Sequence, residues 1–423
     1  MRQTVTRHRL VGIAVGVLIG VPPIFVGGQT PPAGTTVYEG ARLIVGDGQP
    51  PIENAALVVT GARIVSVGRA GEAKVPQGAT RVSLTGKTVM PAIVDTHTHL
   101  SQTREGLTED LRRRAYYGVS AAMSLGQDAG DLPFEMRAQT LPGAARFFTA
   151  GRGITMPEPG RSEVPYWITS VEEGRKAVQE LAARKVDIVK IWVDDRDGKY
   201  KKLTPDLYGP IIEEAHQRGL RVTAHIFTLD DAKGLLRAGV DAFAHGVRDR
   251  DIDEEGLALF KKRQNVVVVP NLPDRGVTTD VSWLRDSLPD AEFKKLQAGA
   301  IDRPELQAPF GIQARNLARL SAAGVRIALG TDGNIPWSAH LEMADMVASG
   351  MTPMQVIVAA TRNSAEFLRM NDAGTIAANK SADFIVLDAN PLEDIANTRR
   401  IASVYLRGAA VDRNAVRPAP SGR

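Results

Sequence analysis

Between residues 89 and 374 the chain repeats one grammar: a short apolar run, a capped helical stretch, then another apolar run. Ser170 with Glu173 makes a capping box ahead of the helical pattern at 171–184. Thr204-Pro205 opens a second helix that ends near Gly219, and Thr228 with Asp231 opens a third that ends near Gly239. Apolar runs suited to strands lie at 188–192, 221–225, 242–245, 266–269 and 326–331. Strands joined through helices run parallel, because each helix returns the chain to the same end of the sheet. The class is therefore α/β, and the length of the region suits a (β/α)8 barrel of the TIM type. A doubly wound open sheet alternates in the same way, but no glycine-rich phosphate turn follows an early strand here.

On either side of this region the texture changes. Residues 37–88 hold short alternating runs at 41–45, 56–59, 63–67 and 80–84, broken by turns such as Gly46-Asp47-Gly48. The same texture returns in 375–413, with runs at 383–388 and 403–406 and a turn at Gly408. A chain of 423 residues exceeds what one growing core accommodates, so a main domain and a smaller one are expected. The expected division is a barrel domain at 89–374 and a small β-sandwich domain built from both chain ends, 37–88 and 375–413, with a tail at 414–423.

The N-terminus has the pattern of an export signal. Arg2, Arg7 and Arg9 precede an apolar run at 10–20, and Pro22 and Pro23 follow it. The other reading is an uncleaved anchor spanning 10–26. The shortness of the run favours a signal at 1–29 and a linker at 30–36, hence a periplasmic or secreted protein with no stable membrane insertion after cleavage. The chain has no cysteine, so any transition-metal site must use nitrogen and oxygen ligands. Its net charge of +4 comes from 52 basic and 48 acidic residues spread without a basic block, which argues against a nucleic-acid partner.

Polar residues interrupt the apolar runs at one kind of place, the C-terminal strand ends. His97 and His99 stand two apart in VMPAIVDTHTHL, and side chains at i and i+2 of a strand face the same way. His225 ends RVTAH, His245 ends DAFAH, Asp332 follows IALGT, and Lys190 sits inside the apolar DIVKIW. A lone histidine at a strand end is usually a structural hydrogen-bonder. Six such residues in barrel order converge on one mouth, where four imidazoles, a carboxylate and a lysine suit zinc or a similar divalent metal. A buried ammonium would repel a metal, whereas a neutral Lys190 amine can react with carbon dioxide to give an anionic carbamate able to bridge two cations.

In this set of residues the chain resembles the amidohydrolase superfamily, in its two-metal type. The match rests on His97 and His99, then Lys190, His225, His245 and Asp332, and on the closing segment GTIAANKSADFIVLDANPL with SVYLRGAAV. It is most similar to the group that holds imidazolonepropionase-like proteins, prolidase-like dipeptidases and ochratoxin-type amidases. Three segments depart from that pattern: Pro91-Ala92 before the first strand's motif, GVSAAMSLG at 118–126, and Gly151-Arg152-Gly153. The resemblance implies that His97, His99 and Asp332 hold one ion, that His225 and His245 hold the other, and that N6-carboxylated Lys190 bridges them. It implies Asp332 as acid and base in hydrolysis of a peptide-like amide, a dipeptide or an N-acyl amino acid.

Arg152, Arg161, Arg248 and Tyr166 are candidates for gripping a substrate carboxylate, each with a solvated surface role as the alternative. His340 could line the mouth or be structural; His216, on a helix before Gly219, reads as structural. The excursion at 272–307, between the seventh and eighth strands, could be a lid. A lactone or cyclic amide hydrolase would use the same ligands, and an inactive binding module would show a lost ligand, which this chain does not. The expected partner is a small-molecule or dipeptide substrate, and a homo-oligomer is compatible with the sequence.

Overall fold

The central parallel strands are buried because both of their faces are covered, and this is what sets the polar residues they carry apart. The structure, a computed structural model, describes Met1 and residues 34–415. The export signal at 1–29, and most of the linker and tail, lie outside the described residues. Ile93–Thr98, Val119–Ser124 and Arg146–Thr149 form one three-stranded parallel sheet. A second parallel sheet of seven strands carries Ile154–Thr155, Tyr166–Trp167, Val189–Val193, Val222–Ile226, Ala242–Ala244, Val267–Val269 and Arg326–Ile327. Hydrogen bonds join the edges of the two sheets. Asp187 N donates to Thr149 O at 3.1 Å on one side, and on the other Thr96 N donates to Leu329 O at 2.9 Å. Helices separate the strands, except that none stands between Arg146–Thr149, Ile154–Thr155 and Tyr166–Trp167.

The local signals act as read, with two exceptions. Ser170 and Glu173 close a capping box on Val171–Ala183, and Thr228 accepts from Asp231 N ahead of Leu229–Ala238. Gly239 then ends that helix at φ +97°, a left-handed conformation that glycine adopts without strain. Thr204 precedes a helix with Pro205 in its first turn, but its hydroxyl makes no capping bond. The apolar run at 326–331 pairs as strand only over Arg326–Ile327. Its continuation is held from outside: Ser364 Oγ accepts from Leu329 N at 2.9 Å, and Asn363 Nδ2 donates to Ile327 O at 2.8 Å.

Both chain ends meet in one sheet of eight strands that joins Thr35–Leu43 to Phe384–Leu387 through Thr88–Pro91. The pairing in this sheet takes both senses. The sheet is continuous and mixed, since Thr35–Leu43 pairs antiparallel with Ile52–Thr60 but parallel with Thr80–Ser83. Register shifts between Glu39, Ala41 and Leu43 bend it. Its first strand begins at Thr35, inside the stretch read as linker. Among the described residues no helix is long and apolar enough to cross a membrane.

The 272–307 excursion has its own structure, a turn of 3-10 helix at Ser282–Ser287 and the helix Asp290–Gly299. Val281, Leu284, Leu288 and Phe293 pack with Tyr116, Tyr117 and Trp337, and Tyr117 donates its hydroxyl proton to Ser287 Oγ at 2.8 Å.

Candidate active site

His97 and His99 leave the first strand on the same side, with ring centres 5.3 Å apart. His97 also packs 5.2 Å from the His245 ring, which lies 4.5 Å from that of His225. Asp332 faces this row of rings. Its Oδ1 lies 3.0 Å from Nε2 of both His97 and His99, and its Oδ2 lies 3.5 Å from Nε2 of His245. Ligand atoms of His97, His245 and Asp332 all fall within 4.8 Å of one another, a group able to hold a metal ion.

The backbone is bent to achieve this. His245 has φ +133° and Asp332 φ +51°, and Asn271, at the end of the next strand, has φ +46°. Three left-handed non-glycine residues at adjacent strand ends cost about 1–3 kcal/mol each, a kind of strain that gathers at functional sites. The seam between the first and last strands holds the bend, because Thr331 N and Asp332 N both donate to His97 O, at 3.0 and 2.8 Å. Gly330 allows the approach, since a Cβ there would come within 2.7 Å of His97 Cβ. Asp95, buried beside His97, accepts from Thr331 Oγ1 at 2.8 Å, and burial pushes its carboxyl up to about 6.

Lys190 is wholly buried, and its Nζ makes no hydrogen bond among the described residues. Its stem lies against Gly126, where a Cβ would meet Lys190 Cγ at 2.8 Å, which accounts for the small residue in that departing segment. Gly153 leaves room for the Trp192 indole in the same way. Burial pulls the Lys190 amine down to about 7, with Asp332 opposing and Arg248 and Arg196 assisting. Burial also keeps the imidazoles neutral, His97 at about 4, His225 at about 3 and His245 well below its ordinary value. Neutral imidazoles are the form that binds metal. For Asp332, burial works in the opposite sense, but His97, His99 and His245 around it hold the carboxyl far below the usual range.

Of the proposed carboxylate-gripping residues, Arg248 alone reaches the cluster. Its charge acts on Lys190, His225 and His245, it forms no ion pair among the described residues, and its buried Nε has no partner. Arg152 is turned away from it: the guanidinium donates to Val164 O and Pro165 O and stacks 3.9 Å from the Tyr166 ring. Both line a small cavity with Phe134 and Leu181, on the helix side of the strands. Arg161 is engaged with Glu158 Oε2 at 3.1 Å. His340 does not line the mouth. It is buried on the Ser338–Ala348 helix, 3.0 Å from Thr398 Oγ1 and 2.9 Å from Tyr117 O. His216 pairs with Asp241 at 2.8 Å, the structural role read from its position.

Several residues at the cluster escaped the sequence reading. Asn271 Oδ1 is 3.0 Å from His97 Nδ1. Asp194 Oδ2 lies 2.8 Å from His225 Nε2, and Arg196 bridges Asp194 and Glu158. Each had a signal: Asn271 ends the apolar VVVVPN, and Asp194 opens the charged DDRD that follows VKIWV. Both are polar residues just past a strand end, as His99 and His245 are.

Buried imidazoles, a carboxylate and an unpartnered amine at the ends of parallel strands make the centre of a hydrolase. The chain belongs to the amidohydrolase family, whose model matches residues 88–411. It is 26% identical over 438 residues to ochratoxinase of Aspergillus niger, covering 87% of this chain and 84% of that protein. It is likewise 26% identical over 384 residues to imidazolonepropionase of Streptomyces coelicolor, covering 84% of this chain and 92% of the relative. The crystal structure of a Xaa-Pro dipeptidase shares the fold, with a TM-score of 0.70 at 22% identity over 89% of this chain and 99% of the other.

Proposed function

We propose that the two parallel sheets are one closed (β/α)8 barrel whose mouth binds two divalent ions, and that the enzyme hydrolyses a peptide-like amide with an amino acid as leaving half. The observation that carries this reading is the state of Lys190. An amine wholly out of water, without a hydrogen-bond partner and about half uncharged near neutral pH, is poor as structure and good as a nucleophile. Its nitrogen adds carbon dioxide and releases one proton, and the resulting carbamate supplies the negative charge that the imidazole row lacks. The donor set fits such a centre. His99 Nδ1 and His245 Nδ1 are buried without hydrogen bonds, and a nitrogen and oxygen set with no thiolate suits zinc.

His97, His99 and Asp332 would hold one ion and His225 and His245 the other, with Lys190 between. Ions so bound lower the pKa of a water towards neutrality and polarise the carbonyl it attacks. Asp332 faces both groups of imidazoles and keeps 38% of its side chain open to solvent. It is therefore the group able to take the proton of the attacking water and hand it to the departing nitrogen. Arg248 offers a guanidinium without a carboxylate of its own, suited to gripping the carboxylate of an amino-acid leaving half. The likeness to ochratoxinase and to a Xaa-Pro dipeptidase supports an amide substrate, and the N-terminal sequence supports a place outside the cytoplasm, among scavenged peptides.

Two measurements test the reading. Elemental analysis of the purified protein should find about two divalent ions per chain. A hydrolysis screen should turn over dipeptides or N-acyl amino acids and show a sharply raised KM when their C-terminal carboxylate is amidated. Full activity without metal, or equal rates on amidated substrates, would sink it.

A further inference from the structure

His225 stands apart from the other imidazoles in what surrounds it. Its Nε2 lies 2.8 Å from Asp194 Oδ2 and 2.9 Å from Arg196 Nη1. These two neighbours make incompatible demands on one nitrogen. A carboxylate only accepts, so a bond to Asp194 requires a proton on Nε2; a guanidinium only donates, so a bond to Arg196 requires Nε2 bare. The rest of the cluster decides between them. Arg196 Nη1 already has an acceptor in Asp194 Oδ2 at 2.6 Å, and its Nε donates to Glu158 Oε1 at 3.2 Å. Asp194 Oδ1 accepts the backbone N–H of Arg196 at 2.9 Å. With the proton on Nε2, Asp194 Oδ2 receives both His225 and Arg196, and the two donor nitrogens, 2.9 Å apart, share that one acceptor. With Nε2 bare, Asp194 Oδ2 and His225 Nε2 would set two lone pairs against each other at 2.8 Å.

The backbone is shaped for this arrangement. Arg196 and Asp197 have φ +56° and +58°, so the chain doubles back directly after the Val189–Val193 strand and lays the guanidinium over Asp194. Tyr200 donates its hydroxyl proton to Pro159 O at 3.0 Å, and Glu158 holds both Arg196 and Arg161, so the loop is stitched to the neighbouring one. Glu158 and Asp194 are both buried.

We propose that Asp194, clamped by Arg196 and Glu158, is a positioning residue that fixes His225 in the Nε2–H tautomer and so leaves Nδ1 as the nitrogen offered to a metal. This rests on the assignment of His225 as a ligand in the function proposed above. Partners of this kind fix ring orientation and raise ligand basicity, and their removal costs roughly 10–100-fold in metal affinity.

The first test needs no variant. Long-range proton–nitrogen correlation spectra of metal-free, histidine-labelled protein, with the His225 signals assigned by their loss in His225→Gln, should show a protonated Nε2 and a bare Nδ1. A protonated Nδ1 would overturn the proposal. The second test is titration with zinc alone. Asp194→Ala should weaken one of two binding steps by roughly 10–100-fold and leave the other near its original value. Asp194→Asn keeps an acceptor oxygen and should recover most of the loss. Equal weakening in both variants would mean that the carboxylate is itself a ligand, and unchanged binding in Asp194→Ala would mean that it positions nothing; either result overturns the proposal. Wild-type protein that binds no zinc would refute the proposed function along with this inference, whereas two tight ions with the opposite tautomer would refute this inference alone.

Discussion

His97 and His225 belong to one row of rings but are held by opposite means. His97 is fixed by a neutral amide, Asn271 Oδ1 at its Nδ1, and by the seam in which its own carbonyl accepts two N–H groups. His225 is fixed at its other ring nitrogen by a charged cluster, Asp194 with Arg196 and Glu158, carried on a folded-back loop. One side of the site is thus built into the ladder of the sheet, and the other depends on ion pairs attached to it. Ladder bonds tolerate changes of salt and loop sequence. Ion pairs, even when partly buried, fail badly once a single partner is removed. The two sides should therefore respond differently to perturbation.

The largest effect is expected where the two sides meet. Lys190→Ala should lose several orders of magnitude in rate and bind less than the full complement of metal. Short-chain carboxylic acids should restore part of the activity by standing in for the carbamate. An active Lys190→Met variant would contradict the bridging role, because a thioether brings no charge to the space between the sides.

A smaller loss is expected on the ladder side. Asn271→Ala strips the partner from His97 Nδ1 and should cost roughly 10–100-fold in metal affinity, as read by zinc titration. Removing Asp194 leaves the Arg196 charge uncompensated beside the site, so its zinc-binding deficit should shrink as salt screens that repulsion, while the deficit of Asn271→Ala should stay constant relative to wild type. Identical salt dependence in the two would erase the distinction.

The smallest effects separate the arginines. Arg248→Ala should raise KM for carboxylate-bearing substrates by roughly 10-fold or more, as expected for loss of a charge-assisted hydrogen bond, and leave their amidated forms nearly unchanged. Arg152→Ala should leave KM within about twofold and lower stability by about 1 kcal/mol, because its bonds go to Val164 O and Pro165 O. A matching KM defect in Arg152→Ala would reverse the assignment.

How much of this was legible from sequence follows the same division. The six ligand-type residues were readable because each stands within or shortly after an apolar run of the parallel core, and the capping box at Ser170 and Glu173 marked its helix correctly. The parallel core was readable for a related reason: strands covered on both faces have no alternation to confuse with helix. The mixed sheet was not, since antiparallel and parallel pairing leave similar apolar patterns and only contacts between distant segments distinguish them. Arg152, Arg161 and His340 show the limit for single polar residues. A lysine within a strand or an aspartate shortly after one is anchored by the fold, but the direction of a loop arginine is set by whichever carbonyl or carboxylate lies within reach. His340 lies on a helix whose inner face is apolar, and its two ring bonds are to Tyr117 and Thr398, distant in sequence.

The seam at His97 also bears on when the site comes into being. His99 and Asp332 are 233 positions apart, and the two N–H groups that lock Asp332 beside His97 come from the segment that follows the last strand of the parallel core. A growing or partly folded chain therefore cannot present the pair, however well its earlier strands have formed. Contacts of such long range are slow to close. Metal capture should accordingly be a late event that reports completion of the whole domain, and the ions would act as a seal on a finished molecule rather than as a nucleus for folding.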